Sequence, residues 1–224
     1  MAKGGRRSGP AGERGDRAET RQRLITAAFD TLQEEGFAAT SARAIAERGG
    51  FNQTQIFYYF GSVNSLLVAA FEQSSMEQLA AYVEALEGVT TITGLFDAVR
   101  ARIEGDLESG HMKVLAELAG GSTSDPGLKA EVARCFEPWF EFTRATLDRI
   151  LAASGLDALL PPDQMALIVL ALFLGIQQLV NLTDQTGAAL EAFATGQRFA
   201  GLFDQMFSAA GPAVGAGPDE RKGQ

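Results

Sequence analysis

Residues Ser41 to Phe60 decide the fold; they read SARAIAERGGFNQTQIFYYF and predict two short helices that meet at a glycine. Ala46 is small enough for a second helix to cross it, and Gly50 can take a left-handed turn conformation at little steric cost. Ile56 fills the angle between the two helices. This order predicts a helix-turn-helix, a DNA-binding motif, although an ordinary helical hairpin shares the glycine and the apolar spacing.

The second helix of this motif is predicted to start near Gln53. Asn52 is its expected N-cap, and Gln55 can return a hydrogen bond in a capping box. The first turn then presents three side chains able to pair with base edges and phosphates: Gln53, Thr54 and Gln55. Apolar packing is expected from Ile56, Phe57 and Phe60. This is the construction of a recognition helix.

The charge of the chain is distributed unevenly. The formal net charge is −9, yet residues 1–72 hold 9 Lys and Arg against 8 Asp and Glu, and the remainder holds 10 against 20. The acidity therefore lies outside the helix-turn-helix. The first 23 residues hold 7 basic and 3 acidic side chains, and residues 1–16 are predicted to form a disordered basic arm. This arm either contacts phosphates or a minor groove, or is a solvated tail without a role.

Composition predicts an all-α protein, because helix formers dominate and alternating β-branched runs are missing. The single cysteine excludes an internal disulfide. The N-terminus lacks the apolar segment of a secretory signal, so a cytoplasmic protein is expected. The most apolar run, Met165 to Leu182, is interrupted by Gly175 and several amides, which predicts a buried helix rather than a membrane span.

Helical periodicity places the remaining elements. The first helix covers residues 17–35 and ends at Gly36, with Phe37 packed beneath it. Thr40 or Ser41 caps the next helix, which directs Ile45 inward and Arg43 outward. Later helices are predicted over residues 64–86, 92–107, 112–119, 128–153, 163–183 and 188–207. The helix over 64–86 has core-like spacing at Leu66, Leu67, Ala70, Phe71, Met76, Leu79 and Val83 and connects two domains.

Four segments follow from this pattern. Residues 1–16 are the arm, and residues 17–63 are the helix-turn-helix DNA-binding domain. Residues 64–208 form a ligand-binding and dimerisation domain that begins with the connecting helix. Residues 209–224 are a disordered polar tail.

Residues 21–71 resemble the N-terminal domain of TetR-family transcriptional repressors. The resemblance is carried by Gly36-Phe37, Thr40-Ser41, Ile45-Ala46-Glu47, Gly50, Ile56, Phe60, Ser62 and Leu66-Leu67. It covers about a quarter of the chain. A looser similarity follows in Glu117 to Gly121, Asp125-Pro126 and Glu137 to Trp139. The resemblance implies an all-α dimer whose C-terminal domain binds a small molecule and whose last two helices pair with a second subunit.

Two residues depart from the family pattern. Family members usually carry Tyr where this chain has Phe57 and Lys where it has Val63, and both contact the DNA backbone. Their loss removes a hydroxyl donor and a positive charge. The DNA-binding residues are therefore predicted to be Arg17, Arg21, Thr40, Ser41, Arg43, Asn52, Gln53, Thr54, Gln55, Tyr58 and Tyr59, with Arg48 as a further candidate. One of the two tyrosines is expected outside and the other partly buried.

The residues offer little for catalysis. The chain has one histidine, one cysteine, no phosphate-binding glycine signature and no cluster at metal-ligand spacing. We therefore expect no enzyme activity, no cofactor and no metal. His111 either faces a pocket or is structural, and Cys135 is expected to be a small core residue rather than a redox sensor.

Aromatic residues mark the expected effector site. In the helix over 128–153, Val132, Phe136, Trp139, Phe140, Thr143 and Leu147 form one stripe, and Pro138 predicts a kink. This helix is either one wall of an apolar cavity or ordinary core. The predicted lining is Phe96, His111, Met112, Leu115, Phe136, Trp139, Phe140, Phe142, Phe173, Gln177 and Asn181. Such a lining favours a mostly hydrophobic, neutral or weakly cationic effector and disfavours phosphorylated or strongly anionic metabolites.

The two last helices are expected to form the dimer interface. They have more apolar surface than a monomer needs, and Gly196, Ala200 and Gly201 allow close approach, so a four-helix bundle with a second copy is predicted. A dimer would span a palindromic double-stranded operator. The leading hypothesis is a repressor released from DNA by a small effector. The alternative is a helical small-molecule-binding or scaffolding protein whose DNA contacts have decayed.

Overall fold

The computed structural model describes residues 10–154, 160–183 and 186–209. Over these residues every regular element is a helix, which confirms the all-α class. The α-helices are α1 (Pro10–Glu35), α2 (Ala42–Gly49), α3 (Gln53–Phe60), α4 (Val63–Ala85), α5 (Ile92–Glu108), α6 (His111–Gly121), α7 (Pro126–Arg134), α8 (Glu137–Ser154), α9 (Pro162–Thr183) and α10 (Thr186–Ala209). A short 3-10 helix, Ser122–Ser124, precedes α7.

The helix-turn-helix forms as the sequence predicts. Ser41 caps α2, and its Oγ accepts a hydrogen bond from the N–H of Ala44 at 3.2 Å. Gly50 has a φ of 68°, a left-handed conformation that a residue with a Cβ rarely adopts. The N–H of Phe51 then donates to the carbonyl of Ala46 at 2.9 Å. These bonds end α2 and turn the chain into α3.

A complete capping box starts α3. Asn52 Oδ1 accepts from the N–H of Thr54 at 2.9 Å, and Gln55 Oε1 accepts from the N–H of Asn52 at 3.4 Å. Ile56 is fully buried between α2 and α3. The predicted cap, helix start and apolar plug are all confirmed.

One hydrophobic core joins the helix-turn-helix to the helices behind it. Its buried residues come from α1, α2, α3, the first half of α4, α6 and α7. Phe37 packs against this core, as expected. Two hydrogen bonds also connect the N-terminal helices to the helices behind them. Asn64 Nδ2 donates to Asp125 Oδ2 at 3.0 Å, and the N–H of Phe37 donates to Glu117 Oε2 at 2.7 Å. Because these helices are closely packed, a shift of α4, α6 or α7 must therefore displace the helix-turn-helix.

The predicted arm is partly wrong. Helix α1 begins at Pro10, so residues 10–16 are helical rather than disordered. Proline is favoured in the first turn of a helix because its missing N–H has no partner there in any case. Residues 1–9 lie outside the described part of the chain. Of the predicted tail, Ala209 ends α10 and residues 210–224 also lie outside the described residues.

The single kinked helix predicted over residues 128–153 is two helices. Helix α7 ends at Arg134, Cys135 and Phe136 form a turn, and α8 starts at Glu137. Pro138 lies in the first turn of α8, where no N–H donor is needed. The proline therefore starts a new helix instead of bending an existing one.

Helix α9 is not the buried helix that the sequence predicted. Over Pro162–Val180 it is long and apolar enough to cross a membrane by length and composition, and 17% of this stretch is buried. It packs along α8, while α10 packs mainly against α5. Large apolar side chains remain exposed on α9 and α10, namely Leu167, Ile168, Leu172, Leu179, Leu182, Phe199 and Leu202. We refer to these seven residues as the apolar face.

Some small residues of α10 are already used within the chain. A Cβ on Gly196 would lie 2.5 Å from Phe96 on α5, and Ala200 is buried. Asp204 caps α5 by accepting from the N–H of Thr93 at 2.9 Å. The close helix approach predicted for an intersubunit contact is therefore made within one chain at Gly196. On α4, Met76 and Val83 are exposed, contrary to their predicted core positions.

Candidate DNA-binding surface and effector cavity

The first turn of α3 presents two free polar side chains. Gln53 and Thr54 are exposed, as predicted for residues that contact bases. Gln55 is half-buried, and its side-chain oxygen is occupied by the capping box. The role of Gln55 is therefore chiefly to start the helix, and Gln53 and Thr54 are the polar side chains of this turn that remain free to contact bases.

Aromatic residues at the end of α3 meet basic residues of α1. Arg17 donates a hydrogen bond to the hydroxyl of Tyr58, which raises the pKa of the Arg17 guanidinium. The ring of Tyr59 lies edge-on to that of Tyr58, with centroids 5.0 Å apart. Tyr58 is exposed and Tyr59 is half-buried, as predicted for the pair. The guanidinium of Arg21 lies 5.1 Å from the centroid of the Phe60 ring.

The other predicted DNA contacts differ in how freely they can reach a phosphate. Thr40 Oγ1 donates to the carbonyl of Gly36 at 2.7 Å, so this hydroxyl is committed within the turn. Arg43 pairs with Glu47 at 2.7 Å, but both side chains are well exposed and the pair is weak in water. Arg48 contacts two carboxylates, Glu34 and Glu35, at 2.8 Å and 3.1 Å. Arg43 is thus the more available cation.

The two departures from the family pattern have different surroundings. Phe57 is 50% exposed on α3, which contradicts its predicted packing role and leaves an aromatic ring without a hydroxyl on the surface of the predicted recognition helix. Val63 is partly buried against the core of the helix-turn-helix. The missing phosphate contacts are therefore not replaced at these two positions.

A cavity of about 360 Å³ lies among α4, α5, α8, α9 and α10. We refer to it as the large cavity. It is lined by Tyr82, Leu86, Leu95, Phe96, Val99, Trp139, Phe142, Thr143, Thr146, Leu147, Val169, Leu170, Leu172, Phe173, Ile176, Ala192, Phe193 and Gly196. The lining holds no charged side chain. This composition suits an apolar molecule.

A second cavity of about 40 Å³ lies beside it among α4, α5, α6, α8 and α9. This small cavity shares Tyr82, Trp139, Leu170 and Phe173 with the large one. Its other lining residues are Phe71, Ser75, Gln78, Asp106, Ser109, His111, Met112, Leu115, Phe136, Leu174 and Gln177. A larger share of its lining residues is therefore of polar type than in the large cavity.

The predicted effector residues divide between these cavities. Five line the small one: His111, Met112, Leu115, Phe136 and Gln177. Phe96 and Phe142 line the large one, and Trp139 and Phe173 line both. Phe140 lines neither of the two and packs in a separate core with Leu147 and Leu151, which corrects its predicted role. The side chain of Asn181 lies outside the described residues.

Sequence reasoning missed a polar cluster at the small cavity. Tyr82 donates a hydrogen bond to Asp106, and Arg102 contacts the same carboxylate at 3.5 Å. Burial raises the pKa of Asp106 and also that of Tyr82. The spacing of Leu79, Tyr82 and Leu86 on one face of the connecting helix was the available sequence signal for Tyr82.

His111 and Cys135 are both in ordinary packed surroundings. The His111 ring stacks on Phe71 with centroids 4.9 Å apart, and its Nδ1 lies 3.0 Å from Ser74 Oγ. Burial lowers the pKa of His111 to about 4, so the ring is neutral at pH 7. Burial raises the pKa of the Cys135 thiol to about 11, which disfavours the reactive thiolate.

Comparison with known proteins agrees with this geometry. Residues 24–70 match the model of bacterial regulatory proteins of the tetR family. The HTH-type transcriptional regulator RutR of Escherichia coli K12 is 30% identical over 81 residues, which are 36% of this chain and 38% of RutR. The matched segment thus spans well under half of that relative.

Solved structures extend the likeness in fold to most of the chain. A putative TetR-family regulator from Rhodococcus sp. superposes with a TM-score of 0.69 at 18% identity, covering 82% of this chain and 98% of that one. FadR from Bacillus subtilis, solved in complex with stearoyl-CoA, gives a TM-score of 0.63 at 14% identity, covering 80% and 96%.

The fold and its surface define a protein with an N-terminal helix-turn-helix and a helical body behind it. Residues 24–70 match the TetR family of bacterial regulatory proteins, and the described residues share the fold of solved TetR-family regulators. The relatives are named as transcriptional regulators, in keeping with the expectation that this chain is not an enzyme.

Proposed function

We propose that this chain is a sequence-specific transcriptional repressor that a small, mostly apolar effector releases from a palindromic operator. The observation that carries the DNA-binding half is the capped helix α3, whose first turn presents Gln53 and Thr54 to solvent. Tyr58 on the same helix and Arg17 on α1 supply further donors for phosphate oxygens.

The effector half rests on the large cavity. Its lining is apolar or neutral, so a hydrophobic body is stabilised there, whereas a phosphate would lack a basic partner. FadR of Bacillus subtilis, which has a similar fold, was solved in complex with stearoyl-CoA, and the acyl chain of that ligand is apolar. We propose the large cavity as the binding site for the body of the effector.

Helix α4 connects the two halves. Tyr82 near its C-terminus and the C-cap residue Leu86 line the large cavity. Its N-terminal part buries Leu66 and Phe71 in the core shared with the helix-turn-helix. A ligand lowers operator affinity only if it binds more tightly to the conformation that cannot bind DNA. We propose that α4 transmits this difference.

Two copies are needed to read a palindrome, because one recognition helix covers only one half-site. The apolar face on α9 and α10 supports pairing with a second copy, since exposed apolar patches of this kind mark interaction sites. Its residues on α9 fall on one side of that helix. We propose that this face forms the homodimer interface.

The test is an electrophoretic mobility shift with the DNA flanking the gene of this chain. A regulator retards this DNA at nanomolar to micromolar concentration, and an apolar ligand that changes Trp139 fluorescence releases it. The competing function is a ligand-binding protein with decayed DNA contacts, which the exposed Phe57 ring favours. That alternative predicts ligand binding without retardation of any flanking fragment.

A further inference from the structure

Gln177 is fully buried in α9, with 0% of its surface exposed. Neither its Nε2 nor its Oε1 has a hydrogen-bond partner among the described residues. Buried amide groups are nearly always paired, because an unpaired donor or acceptor loses its bonds to water without replacement. Gln177 lines the small cavity, so the empty space next to this residue is where a partner from outside the chain would bind.

Several other polar groups around this cavity are already paired with one another. Tyr82 donates to Asp106, Arg102 contacts Asp106 at 3.5 Å, and Trp139 Nε1 donates to Ser75 Oγ at 2.7 Å. Arg102 Nε is also buried without a partner, but Arg102 does not line the cavity. Gln177 is therefore the lining side chain whose polar atoms are buried and have no partner among the described residues.

The position of Gln177 relates it to the large cavity. The two cavities share Tyr82, Trp139, Leu170 and Phe173, so they adjoin, and the inference requires a molecule in the large one to extend a short end past these side chains toward Gln177. The small cavity, at about 40 Å³, admits a group of a few heavy atoms and no more. The large cavity then holds the apolar body of the same molecule.

We infer that Gln177 recognises the polar end of the effector, and that this end is a carboxamide or lactam, a neutral group with a donor and an acceptor on neighbouring atoms. The inference rests on the large cavity being the effector site. An amide pairs with another amide through two hydrogen bonds, which satisfies both atoms of Gln177 at once. An ester offers acceptors only and leaves Oε1 unpaired.

The charge around the small cavity favours a neutral group over an anion. Asp106 and Arg102 form a pair, and the His111 ring is uncharged at pH 7 because burial lowers its pKa to about 4. A carboxylate entering here finds no free cation in the lining and places its negative charge near Asp106. A carboxamide carries no such cost.

The test compares decanamide, methyl decanoate and decanoate as probes, with Trp139 fluorescence as the readout. Trp139 is the one tryptophan of the chain and lines both cavities. Each probe is titrated into the wild type, Gln177→Leu and Gln178→Leu. Gln178 is the adjacent exposed residue of α9 and serves as the matched control. Thermal melting of each variant reports that it is folded.

We expect decanamide to bind the wild type and Gln178→Leu about tenfold or more tightly than methyl decanoate or decanoate, the ratio expected when the weaker probes lose one hydrogen bond and leave the buried Oε1 unpaired. In Gln177→Leu the ratio of decanamide to methyl decanoate affinity falls to about one, while methyl decanoate binds at least as well as before. The melting temperature of unliganded Gln177→Leu rises, because its unpaired amide is gone.

Equal affinity of the wild type for the three probes, or an unchanged ratio in Gln177→Leu, overturns the inference. A failure of every probe to bind overturns it as well, together with the large cavity as the effector site. DNA binding is measured separately by the mobility shift. The probe titrations therefore neither support nor contradict the proposed DNA-binding function.

Discussion

The carboxylate of Glu117 accepts a hydrogen bond from the backbone N–H of Phe37 at 2.7 Å. Glu117 lies on α6, the helix that begins with His111 and Met112 at the small cavity, and Phe37 lies in the turn between α1 and α2. One helix therefore reaches from the proposed effector site to the turn that precedes the helix-turn-helix.

Replacing Glu117 tests this connection. Glu117→Ala leaves the half-buried Phe37 N–H without an acceptor, which we expect to cost about 1–3 kcal/mol of the free energy of unfolding. For a chain of this size the melting temperature falls by roughly 2–4 °C per kcal/mol, as measured by circular dichroism. The control Glu117→Gln keeps a side-chain oxygen and should retain most of the stability. Equal melting of Glu117→Ala and the wild type would show that the bond contributes nothing.

The stability of the protein should depend on pH through His111. The native pKa, about 4, is below the ordinary 6.5, so the unfolded chain binds a proton that the native chain does not between these values. Stability therefore falls as the pH drops from about 6.5 toward 4, by about 2 kcal/mol at pH 5, and this contribution is constant above pH 6.5.

The His111 contribution is isolated by comparing variants. In His111→Gln the decline in melting temperature between pH 7 and pH 5 should be smaller than in the wild type. Asp106 has a raised pKa and acts with the opposite sign, since it binds a proton more readily in the native state. It is present in both proteins, so the difference between them reports His111. Parallel melting curves across this range would contradict the assignment.

Restoring a hydroxyl at position 57 should strengthen DNA binding. Phe57 is half exposed on α3, so a Tyr hydroxyl extends into solvent without repacking the core. A hydrogen bond to a phosphate oxygen gives Phe57→Tyr a gain of about 3- to 10-fold in affinity for any duplex, measured by fluorescence anisotropy. A Phe57→Tyr protein with unchanged affinity would place this helix away from the DNA backbone.

Arg43→Ala should lower the affinity for all DNA sequences about equally and flatten the salt dependence of binding.

The apolar face should control assembly. Leu179→Glu places a charge within this face and is expected to convert a dimer into a monomer in sedimentation velocity at micromolar concentration. Met76→Glu is the matched control, because Met76 is an exposed apolar residue on α4 outside the face. DNA affinity should fall with Leu179→Glu and persist with Met76→Glu. A wild-type chain that sediments as a monomer would refute the dimer.

The helix-turn-helix could be predicted from the sequence because its signals are local. Asn52 and Gln55 form a capping box three residues apart, and Gly50 needs only its own backbone conformation to turn the chain. The same local logic failed at Pro138, where proline spacing alone does not distinguish a kink from the first turn of a new helix.

The effector site could be predicted only in part, since cavities arise where distant segments meet. Aromatic residues such as Trp139 and Phe173 were found from helical spacing, and both line the two cavities. The pairing of Tyr82 with Asp106 joins two helices 24 positions apart, which no local pattern shows. Phe140 shares the spacing of the cavity residues but faces another core, because α8 has apolar partners on more than one side.

The central claim is that α3 reads DNA sequence, and one anisotropy experiment tests it most directly. The double substitution Gln53→Ala and Thr54→Ala removes the two exposed polar side chains of the first turn and leaves the Asn52 and Gln55 cap in place. We predict that this variant loses about 1–3 kcal/mol of binding free energy for the flanking DNA fragment that is retarded in the mobility shift. Its affinity for a duplex of scrambled sequence should change little. Equal affinity of wild type and variant for the flanking DNA would contradict the account.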